Sequence, residues 1–371
     1  MSAQSIPSSF RAVVASPDLR TPTIQSIVLD DLQKGYVLAE HQVLVKNHAV
    51  ALNPTDYKHA HGDWTSRQPV VMGTDGAGVA LAVGSEVRHV KVGDRVAGMV
   101  YGASSRTNGT AAEVTIYDAA LLWAMPEGMS FTEGAAITAT HLTAVQTLYM
   151  RWDLARPSKP DTSEVKKILL VWGGATAVGH HAIQLAHLSG YRAFVTAAPD
   201  HHSRLMDMGA ERCFDYRNPD IVQQIREAAG EQGIFAAYDT PASNKSTESC
   251  IDAIGPSGGR VMSTLPPSEE VVSRRLDVEL EFVLVYTLVG YAFKFANAFD
   301  FPANANDRKQ SYEWVTEELP AIFAGWEEGQ GSSRYTPQAL RVGHGLERVH
   351  EGIAILGRGS YKAEKLVYTI V

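Results

Sequence analysis

The sequence of 371 residues predicts an α/β protein with a compact β-rich part followed by a doubly wound parallel sheet. Short apolar runs broken by Gly and Asp fill the first third of the chain, which is typical of a closed β-structure with tight turns. From residue 168 onwards, strand-like and helix-like segments alternate, which predicts parallel strands joined by crossover helices. A glycine-rich turn, GGATAVG at 173–179, separates the first of these strands from its helix.

Composition limits the classes of function. The chain has 33 basic and 41 acidic residues and no basic run, which disfavours a nucleic-acid partner. Its two cysteines, Cys213 and Cys250, are too few for a disulfide framework and indicate reduced thiols. The sequence contains no recognisable secretory signal, and its longest apolar run is too short to span a bilayer. We therefore expect a cytoplasmic protein without a membrane partner.

The β-rich part extends from Arg11 to about Met125, and HQVLVKNHAVAL at 41–52 alternates and is rich in β-branched residues. The pattern then changes, because residues 130–150 have helical spacing and begin with Ser130 and Glu133, the two residues of a capping box. The following segment, RPSKPDTSEVKK, is typical of a linker.

The second part consists of strand–helix units. Its expected strands are ILLVW, YRAFVTAA, RCFDY, FAAYDT and GGRVMSTL, and its expected helices are AVGHHAIQLAHL, SRLMDMG, PDIVQQIREAAG and TESCIDAIG. Residues 291–312 show no clear period and are interpreted as an insertion or long loop. A helical segment, SYEWVTEELPAIFAGWEEG, and a final strand in YKAEKLVYTIV complete the chain.

The glycine-rich turn predicts a dinucleotide site, since small residues let backbone N–H groups approach a phosphate at a helix N-terminus. Thr176 stands where a glycine is usual, and we expect its hydroxyl to donate to a phosphate oxygen. Gly179 allows close helix–strand packing. The expected cofactor-binding residues of the turn are Gly174, Ala175, Thr176, Ala177, Val178 and Gly179.

The end of the second strand indicates which dinucleotide binds. An acidic residue there would hold a ribose 2′-hydroxyl and favour NAD, but Ala198 occupies the position. His201 and Arg204 follow, and Tyr216 ends the next strand, a set that suits a 2′-phosphate. Asp200 argues the other way, and the same residues would also suit a helix cap and a solvated surface. We expect NADPH.

Several motifs together resemble the quinone-reductase branch of the medium-chain dehydrogenase/reductase superfamily: ALNPTDYKHAHG, GTDGAGVALAVGSEV and VKVGDRVAG. Three others, WGGATAVGHHAIQLA, MGAERCFDYR and AEKLV, are most similar to the stand-alone, lovastatin-type enoyl reductases of fungal polyketide biosynthesis. The resemblance implies a GroES-like catalytic domain at 1–130, completed by 315–371, and a Rossmann NADPH-binding domain at 131–314.

The zinc-dependent members of this superfamily have a Cys before a Thr-Asp pair and a later Gly-His-Glu. Here the matching residues are Asn53 and the triplet 73–75, Gly-Thr-Asp. Since thiolate and imidazole ligands are missing there, we expect no metal. Other histidines are interpreted as polar surface or helix-start residues: His59, His61, His180 and His181.

The resemblance also assigns site residues. Lys58 is the expected catalytic group, as a donor to the ribose or thioester or as a proton relay; otherwise it would be an ordinary surface lysine. The other expected cofactor contacts are Asn53, Thr55, Asp56, Tyr57, Thr264, Leu265, Tyr361 and Lys362. The expected substrate contacts are Thr138, Thr140, His141, Tyr286, Thr287, Leu288, Val289 and Gly290, although His141 would equally suit a capped helix and 285–290 a buried strand.

These residues imply an NADPH-dependent enoyl reductase that acts in trans on acyl chains tethered to the carrier protein of a polyketide synthase. Two alternatives remain open, a free-standing quinone or enone reductase and a non-catalytic NADPH-binding protein of zeta-crystallin type. In most quinone-reductase relatives the strand near 285–290 pairs across a dimer. We expect the bulky segment 291–306 to cover that edge and leave a monomer.

Overall fold

The computed structural model describes residues 9–17, 21–28, 38–61, 64 and 68–370. The chain divides into two compact units. The first unit comprises Met1–Ala139 and Tyr286–Val371, and the second comprises Thr140–Val285. The second unit is thus shorter than the domain expected at 131–314, since 131–139 and 286–314 group with the β-rich unit.

The strands of the described residues are, in chain order, β1 Ser9–Ala15, β2 Thr23–Val28, β3 Gln42–Ala51, β4 Val70–Val71, β5 Asp75–Val83, β6 Arg95–Met99, β7 Val114–Asp118, β8 Leu122–Ala124, β9 Ile168–Trp172, β10 Arg192–Thr196, β11 Ala210–Phe214, β12 Ala236–Asp239, β13 Gly259–Ser263, β14 Val278–Phe282, β15 Phe293–Phe295, β16 Phe299–Phe301, β17 Leu340–His344 and β18 Lys365–Thr369.

The α-helices are α1 Pro54–His61, α2 Phe131–Ala135, α3 Thr138–Val145, α4 Ala177–Leu188, α5 His202–Asp207, α6 Ile221–Ala229, α7 Asn244–Ala253, α8 Glu269–Val272, α9 Ala305–Glu313, α10 Leu319–Ile322 and α11 Val349–Arg358. Short 3₁₀ turns are Ala119–Leu121, Pro199–His201, Gly230–Gln232, Val285–Val289 and Leu346–Arg348. Two π-helical segments, Gln146–Arg151 and Trp314–Glu318, continue α3 and α9. Within the described ranges, no helix is both long and apolar enough to cross a membrane.

The first unit is built on a mixed sheet in the order β17-β18-β3-β5-β6-β8, with β7 also paired to β3. The C-terminal strand β18 therefore lies beside β3, with Val367 opposite Ala51. A second sheet, β2-β1-β4, is antiparallel. The predicted β-rich part with a strand at 41–52 and a final strand is confirmed by this arrangement, whereas the pairings of the larger sheet run from β17 to β8 without closing on themselves.

The second unit is a parallel sheet in the order β11-β10-β9-β12-β13-β14. Each expected strand and helix from 168 to 263 is present, with ends shifted by a few residues. When the six strands are numbered 1 to 6 along the chain, their order across the sheet is 3-2-1-4-5-6, which is that of the Rossmann fold. The chain adds strands on one side of β9 first and then on the other, so the topological switch point lies between β9 and β12. The doubly wound fold class is therefore confirmed.

Three local expectations were wrong. Residues 291–312 are not a loop, because they form the hairpin β15–β16 and most of α9. Residues 285–289 form a 3₁₀ turn instead of a strand, and the last strand of the sheet is β14. The helix at 130–150 keeps its capping box, in which Ser130 and Glu133 bond reciprocally, but it is broken between α2 and α3.

Candidate active site

Helix α1 of the first unit begins with a hydrogen-bonded cap. Pro54 is its first residue, where the fixed φ of proline suits a helix and its missing N–H costs nothing. The Asn53 N–H donates to Asp56 Oδ2 at 2.7 Å, and the Asp56 N–H donates to the Asn53 carbonyl at 2.9 Å. This cap fixes the helix start, so that Thr55 and Lys58, one turn apart, lie on the same side.

Lys58 is half-buried, and its ammonium lies 4.5 Å from the centre of the Trp64 ring. A cation over an indole face is held electrostatically. Burial lowers the pKa of Lys58 because desolvation disfavours the charged form. The side chain is thus partly enclosed and held by an aromatic ring, which favours the functional interpretation of Lys58, and its catalytic role stays a prediction.

A network that the sequence analysis missed lies next to α1. Lys365 from β18 donates to the Asn53 carboxamide oxygen and lies 3.4 Å from Asp75 Oδ2. The Asn53 amide group donates to Asp75 Oδ2 at 2.9 Å, and the Ala139 N–H donates to Asp75 Oδ1 at 2.7 Å. Lys365 and Asp75 are 5% and 0% exposed, so this is a fully buried ion pair. Both ends of the Asn53 side chain are thus used within the protein.

Burial dominates the electrostatics of this network. It raises the pKa of Asp56 to about 7, with the nearby Asp75 charge adding to the rise and Lys365 opposing it. Burial also raises the pKa of Asp75 and lowers that of Lys365, and each shift is opposed by the charge of the other residue. One lysine thus lies near two buried carboxyl groups, and the pKa of each carboxyl is raised by burial and lowered by the charge of Lys365.

Three hydroxyl groups converge on the same side of the first unit. The Tyr286 hydroxyl lies 3.0 Å from Thr74 Oγ1 and 3.2 Å from Thr55 Oγ1. Thr55 Oγ1 also lies 3.1 Å from His59 Nδ1. Thr74 therefore joins the site at the position where zinc-dependent relatives have histidine, as a hydroxyl instead of a metal ligand.

The remaining predicted substrate residues are mostly engaged in packing. Leu288 and Val289 are buried, Gly290 has a positive φ, and the Thr287 hydroxyl donates to Asp307 at 3.0 Å. These contacts show 287–290 engaged within the protein, and their role in binding substrate stays a prediction.

At the start of α3, Thr138 accepts a hydrogen bond from the Trp123 indole at 3.0 Å. Thr140 is 7% exposed, and His141 is fully buried with its ring centre 5.2 Å from that of His181. Burial lowers the pKa of His141 to about 3, so the ring is neutral at physiological pH. A contact between His141 and a substrate would require the surrounding side chains to move.

The tail residues have different environments. Tyr361 is half-buried and packs with Tyr57 against one core cluster of the first unit, whereas Lys362 is exposed. A Cβ at Gly357 of α11 would lie 2.1 Å from the Tyr57 ring, so the helix approaches this ring closely. Tyr57 and Tyr361 therefore have a packing role in the first unit.

In the second unit, the glycine-rich turn has the geometry of a phosphate cradle. Gly173 has φ +81°, which favours glycine. A Cβ on Gly179 would lie 2.4 Å from the Gly173 carbonyl oxygen, so the first turn of α4 packs directly on the loop. The helix N-terminus that follows carries partial positive charge, and its first amide groups cannot be bonded within the helix.

The Thr176 hydroxyl has another task than the expected one. It caps α4 by accepting the Gly179 N–H at 3.0 Å, and it lies 2.7 Å from the Thr240 hydroxyl. Thr240 already donates towards the carbonyl oxygens of Trp172 and Gly173, so the proton between the two threonines comes from Thr176. In this structure the hydroxyl is engaged by Thr240, and its donation to a phosphate oxygen stays a prediction.

The predicted 2′-phosphate residues lie at the carboxyl ends of β10 and β11. Ala198 precedes the turn 199–201, and the Ala197 N–H bonds to the Phe214 carbonyl of the next strand. His201 and Arg204 are partly exposed, and Tyr216 is 48% exposed. These side chains thus lie at the same edge of the sheet. At the position where an acidic residue would bind a ribose 2′-hydroxyl, the chain has Ala198.

The ends of β12 and β13 complete that edge. Thr264 donates to the Thr240 carbonyl at 3.0 Å, and Leu265 is half-buried beside it. Asp239 was not predicted, and it is buried and accepts from Thr247 at 2.6 Å and from Ser246 at 2.9 Å. The sequence feature that could have indicated Asp239 is an acidic residue directly at the end of an apolar strand.

Several histidines were wrongly interpreted as polar surface. His59, His180 and His181 are 3%, 5% and 1% exposed. The Gln184 side-chain amide nitrogen donates to His180 Nε2 at 3.0 Å, one helical turn away. Among the described residues, no group of three or more His, Cys, Asp or Glu side chains is arranged to hold a metal ion.

Comparisons with known proteins agree with this architecture. Residues 39–145 match the alcohol dehydrogenase GroES-like domain, and residues 177–301 match the zinc-binding dehydrogenase family. In solved structures, an alcohol dehydrogenase superfamily protein from Novosphingobium aromaticivorans has a TM-score of 0.74 at 24% identity, covering 98% of this chain and 100% of that one. The CurK enoyl reductase has a TM-score of 0.72 at 18% identity, with coverage of 98% and 100%.

Sequence relatives are closer. The trans-enoyl reductase opdC of Penicillium oxalicum is 33% identical over 353 residues, which cover 91% of this chain and 93% of that protein. The enoyl reductase component lovC of the lovastatin nonaketide synthase from Aspergillus terreus is 32% identical over 337 residues, with coverage of 89% and 90%. The chain therefore belongs to the trans-enoyl reductases of the medium-chain dehydrogenase/reductase superfamily and is an oxidoreductase.

Proposed function

We propose that the chain is an NADPH-dependent enoyl reductase that acts in trans on α,β-unsaturated acyl thioesters carried by a polyketide synthase. The observation that carries this proposal is Lys58, a half-buried ammonium held 4.5 Å from the Trp64 ring centre and one turn from the Thr55 hydroxyl. A cation and a hydroxyl in a partly dry site suit an oxygen that gains negative charge during reaction.

The second unit supports a dinucleotide as the reductant. The turn 173–179 and the N-terminus of α4 would bind its pyrophosphate, and Gly179 lets the first turn of α4 pack closely against the loop. Ala198 offers no carboxylate to a 2′-hydroxyl, while Arg204 would bind a 2′-phosphate. Bound NADPH supplies the hydride, and the protein supplies position and electrostatics.

The reaction needs two further contributions from the chain. When hydride adds to the β-carbon of the enoyl thioester, the π electrons move to the thioester oxygen, and the α-carbon then takes a proton. Lys58 would donate a hydrogen bond to that oxygen, and its lowered pKa also makes it a better proton donor to carbon. No metal ion is required for either step.

The proposed partner is the carrier protein of a polyketide synthase, and the name of one relative, the enoyl reductase component of the lovastatin nonaketide synthase, supports a synthase as partner. We also propose a cytoplasmic monomer with a catalytic first unit and a cofactor-binding second unit. The edge strand β14 supports the monomer because Glu279 and Glu281 are exposed on it, and charged side chains oppose edge pairing. Size-exclusion chromatography with light scattering tests this state.

The first experiment measures NADPH consumption with a short α,β-unsaturated acyl pantetheine thioester, with the same acyl group on a carrier protein, and with a simple quinone. We expect oxidation with both thioesters, faster on the carrier, and none with the quinone. Lys58→Met is compared with Lys294→Met, which removes an exposed lysine paired with Asp300. Turnover of the quinone alone would overturn the proposal in favour of a free-standing reductase.

A further inference from the structure

The hydroxyl groups of Thr74, Tyr286 and Thr55 form a chain whose two ends differ in exposure. Thr74 and Tyr286 are 1% and 3% exposed, whereas Thr55 is partly exposed. The Tyr286 ring stacks on Tyr101 with ring centres 4.4 Å apart, which fixes where its hydroxyl points. The three groups contain three protons but make only two contacts with one another.

The protonated ring nitrogen of His59 limits how the Thr55 hydroxyl can bond. Its Nδ1 lies 2.8 Å from the Thr55 carbonyl oxygen, which can only accept, so Nδ1 carries hydrogen. The same nitrogen lies 3.1 Å from Thr55 Oγ1. Burial lowers the pKa of His59, so the ring is a neutral donor at this nitrogen. The single Nδ1–H is thus shared between the Thr55 carbonyl and, as the longer branch, Thr55 Oγ1, which acts as an acceptor towards His59.

The direction of the chain follows from counting donors. In the described part of the structure, the hydroxyls of Thr74 and Tyr286 have no hydrogen-bond partners outside this chain. If Thr55 donated to Tyr286, one buried hydroxyl proton would remain unpaired, which is unfavourable because that proton has lost its hydrogen bond to water. If Thr74 donates to Tyr286 and Tyr286 donates to Thr55, both buried protons are used. The spare proton is then that of Thr55, the partly exposed member.

We propose that Tyr286 is a positioning residue that makes the Thr55 hydroxyl a donor to the thioester oxygen of the substrate. Thr55 Oγ1 accepts from both Tyr286 and His59, and an oxygen that accepts two hydrogen bonds becomes a stronger donor. Lys58, one turn along α1, supplies the second donor to the same oxygen. This inference rests on the proposed enoyl reductase function and adds Tyr286 and Thr74 to its machinery.

The test compares Tyr286→Phe with Tyr101→Phe. Each variant removes one phenol hydroxyl from the same ring stack, but the Tyr101 hydroxyl donates to the Lys294 carbonyl at 3.3 Å and lies outside the chain. We expect Tyr286→Phe to lower kcat about ten-fold, with KM for NADPH unchanged and the melting temperature close to that of Tyr101→Phe. Tyr101→Phe should keep kcat within about two-fold.

A second set of variants separates positioning from packing. In a Thr55→Ala background, Tyr286→Phe should cause less than about two-fold further loss, because residues that act through one group are not additive. Thr74→Val removes only the hydrogen bond that Tyr286 accepts and leaves its donation to Thr55, so kcat should fall less than in Tyr286→Phe, and Thr74→Ser should restore it. Full additivity of Thr55→Ala and Tyr286→Phe, or equal kcat in both tyrosine variants, would overturn the inference.

Failure of the inference is distinct from failure of the proposed function. If the unsubstituted protein reduces the enoyl thioester and Tyr286→Phe does so equally well, only the role of Tyr286 is lost. If the unsubstituted protein reduces no enoyl thioester, the proposed function fails and this inference fails with it. Should Tyr286→Phe be poorly folded, the pair Thr74→Val and Thr74→Ser gives the same decision.

Discussion

Lys365 Nζ and Asp75 Oδ2 form an ion pair at 3.4 Å between residues 290 positions apart, and both side chains are at most 5% exposed. Lys365→Met should destabilise the protein by about 3–5 kcal/mol, because it leaves buried carboxyl groups without a cation. Urea denaturation measures this, with the exposed Lys294→Met as control.

The deficit of Lys365→Met should also depend on pH. Burial raises the pKa of Asp56 to about 7, so this carboxyl is neutral in the folded protein at acidic pH and needs no cation there. A carboxyl group with a raised pKa destabilises the folded state once it is ionised, which happens at high pH. The loss of unfolding free energy in Lys365→Met should therefore grow as pH rises through about 7 and be smaller below it. A deficit that is constant from about pH 5 to 8 would contradict the assigned network.

Gly179→Ala should disrupt the cofactor turn. The new Cβ would lie 2.4 Å from the Gly173 carbonyl oxygen and 2.8 Å from the Gly174 Cα, so the loop must move away from α4. We expect at least about ten-fold weaker NADPH binding, measured by fluorescence titration. The control is Gly255→Ala, where a Cβ meets nothing within 4 Å. Unchanged NADPH affinity in Gly179→Ala would argue against a phosphate site at this turn.

Ala198→Asp should change the cofactor preference. A carboxylate at the end of β10 would repel a 2′-phosphate and accept from a 2′-hydroxyl, so the kcat/KM ratio of NADPH to NADH should fall about ten-fold or more. Arg204→Ala should lower the same ratio, whereas the exposed Arg212→Ala on β11 should leave it unchanged. A higher kcat/KM with NADH in the unsubstituted protein would refute the NADPH assignment.

The stability of the protein should fall in acid through buried histidines. Burial lowers the pKa of His141 from 6.5 to about 3. Between these two pH values the ring binds a proton in the unfolded chain but stays neutral in the folded chain. Stability from this group is present above pH 6.5 and is lost as pH falls, by about 1.4 kcal/mol per pH unit. The measurement is the slope of the unfolding free energy against pH, from urea titrations. Below pH 6.5 and down to about pH 5, His141→Gln should reduce this slope by the contribution of one bound proton. An unchanged slope would contradict the burial of this ring.

Much of the fold was predictable because its signals are local. The alternation of apolar strands and amphipathic helices from 168 to 263 follows from periodicity within short windows. The capping box of Ser130 and Glu133 is likewise a four-residue signal, and the structure contains it. The turn at Gly173 and Gly179 was identified because glycine is required where backbone atoms approach closely.

The features that were missed depend on distant residues or on weak local signals. Asn53, Asp75 and Lys365 meet only in the folded sheet, where β18 pairs with β3, so no window of sequence contains the network. The hairpin β15–β16 turns through Ala296 and Asn297 with positive φ values of 52° and 56°. Alanine rarely adopts this conformation, and the usual glycine signal of a hairpin is absent.

The position of β18 between β17 and β3 has a consequence for synthesis of the protein. The second unit, 140–285, can fold as soon as it leaves the ribosome, but the first unit lacks an internal strand until residues 365–369 emerge. A chain that stops earlier also lacks the only described cation bonded to Asp75. Truncated products would therefore expose an open sheet edge and uncompensated carboxylates, which makes them targets for proteolysis.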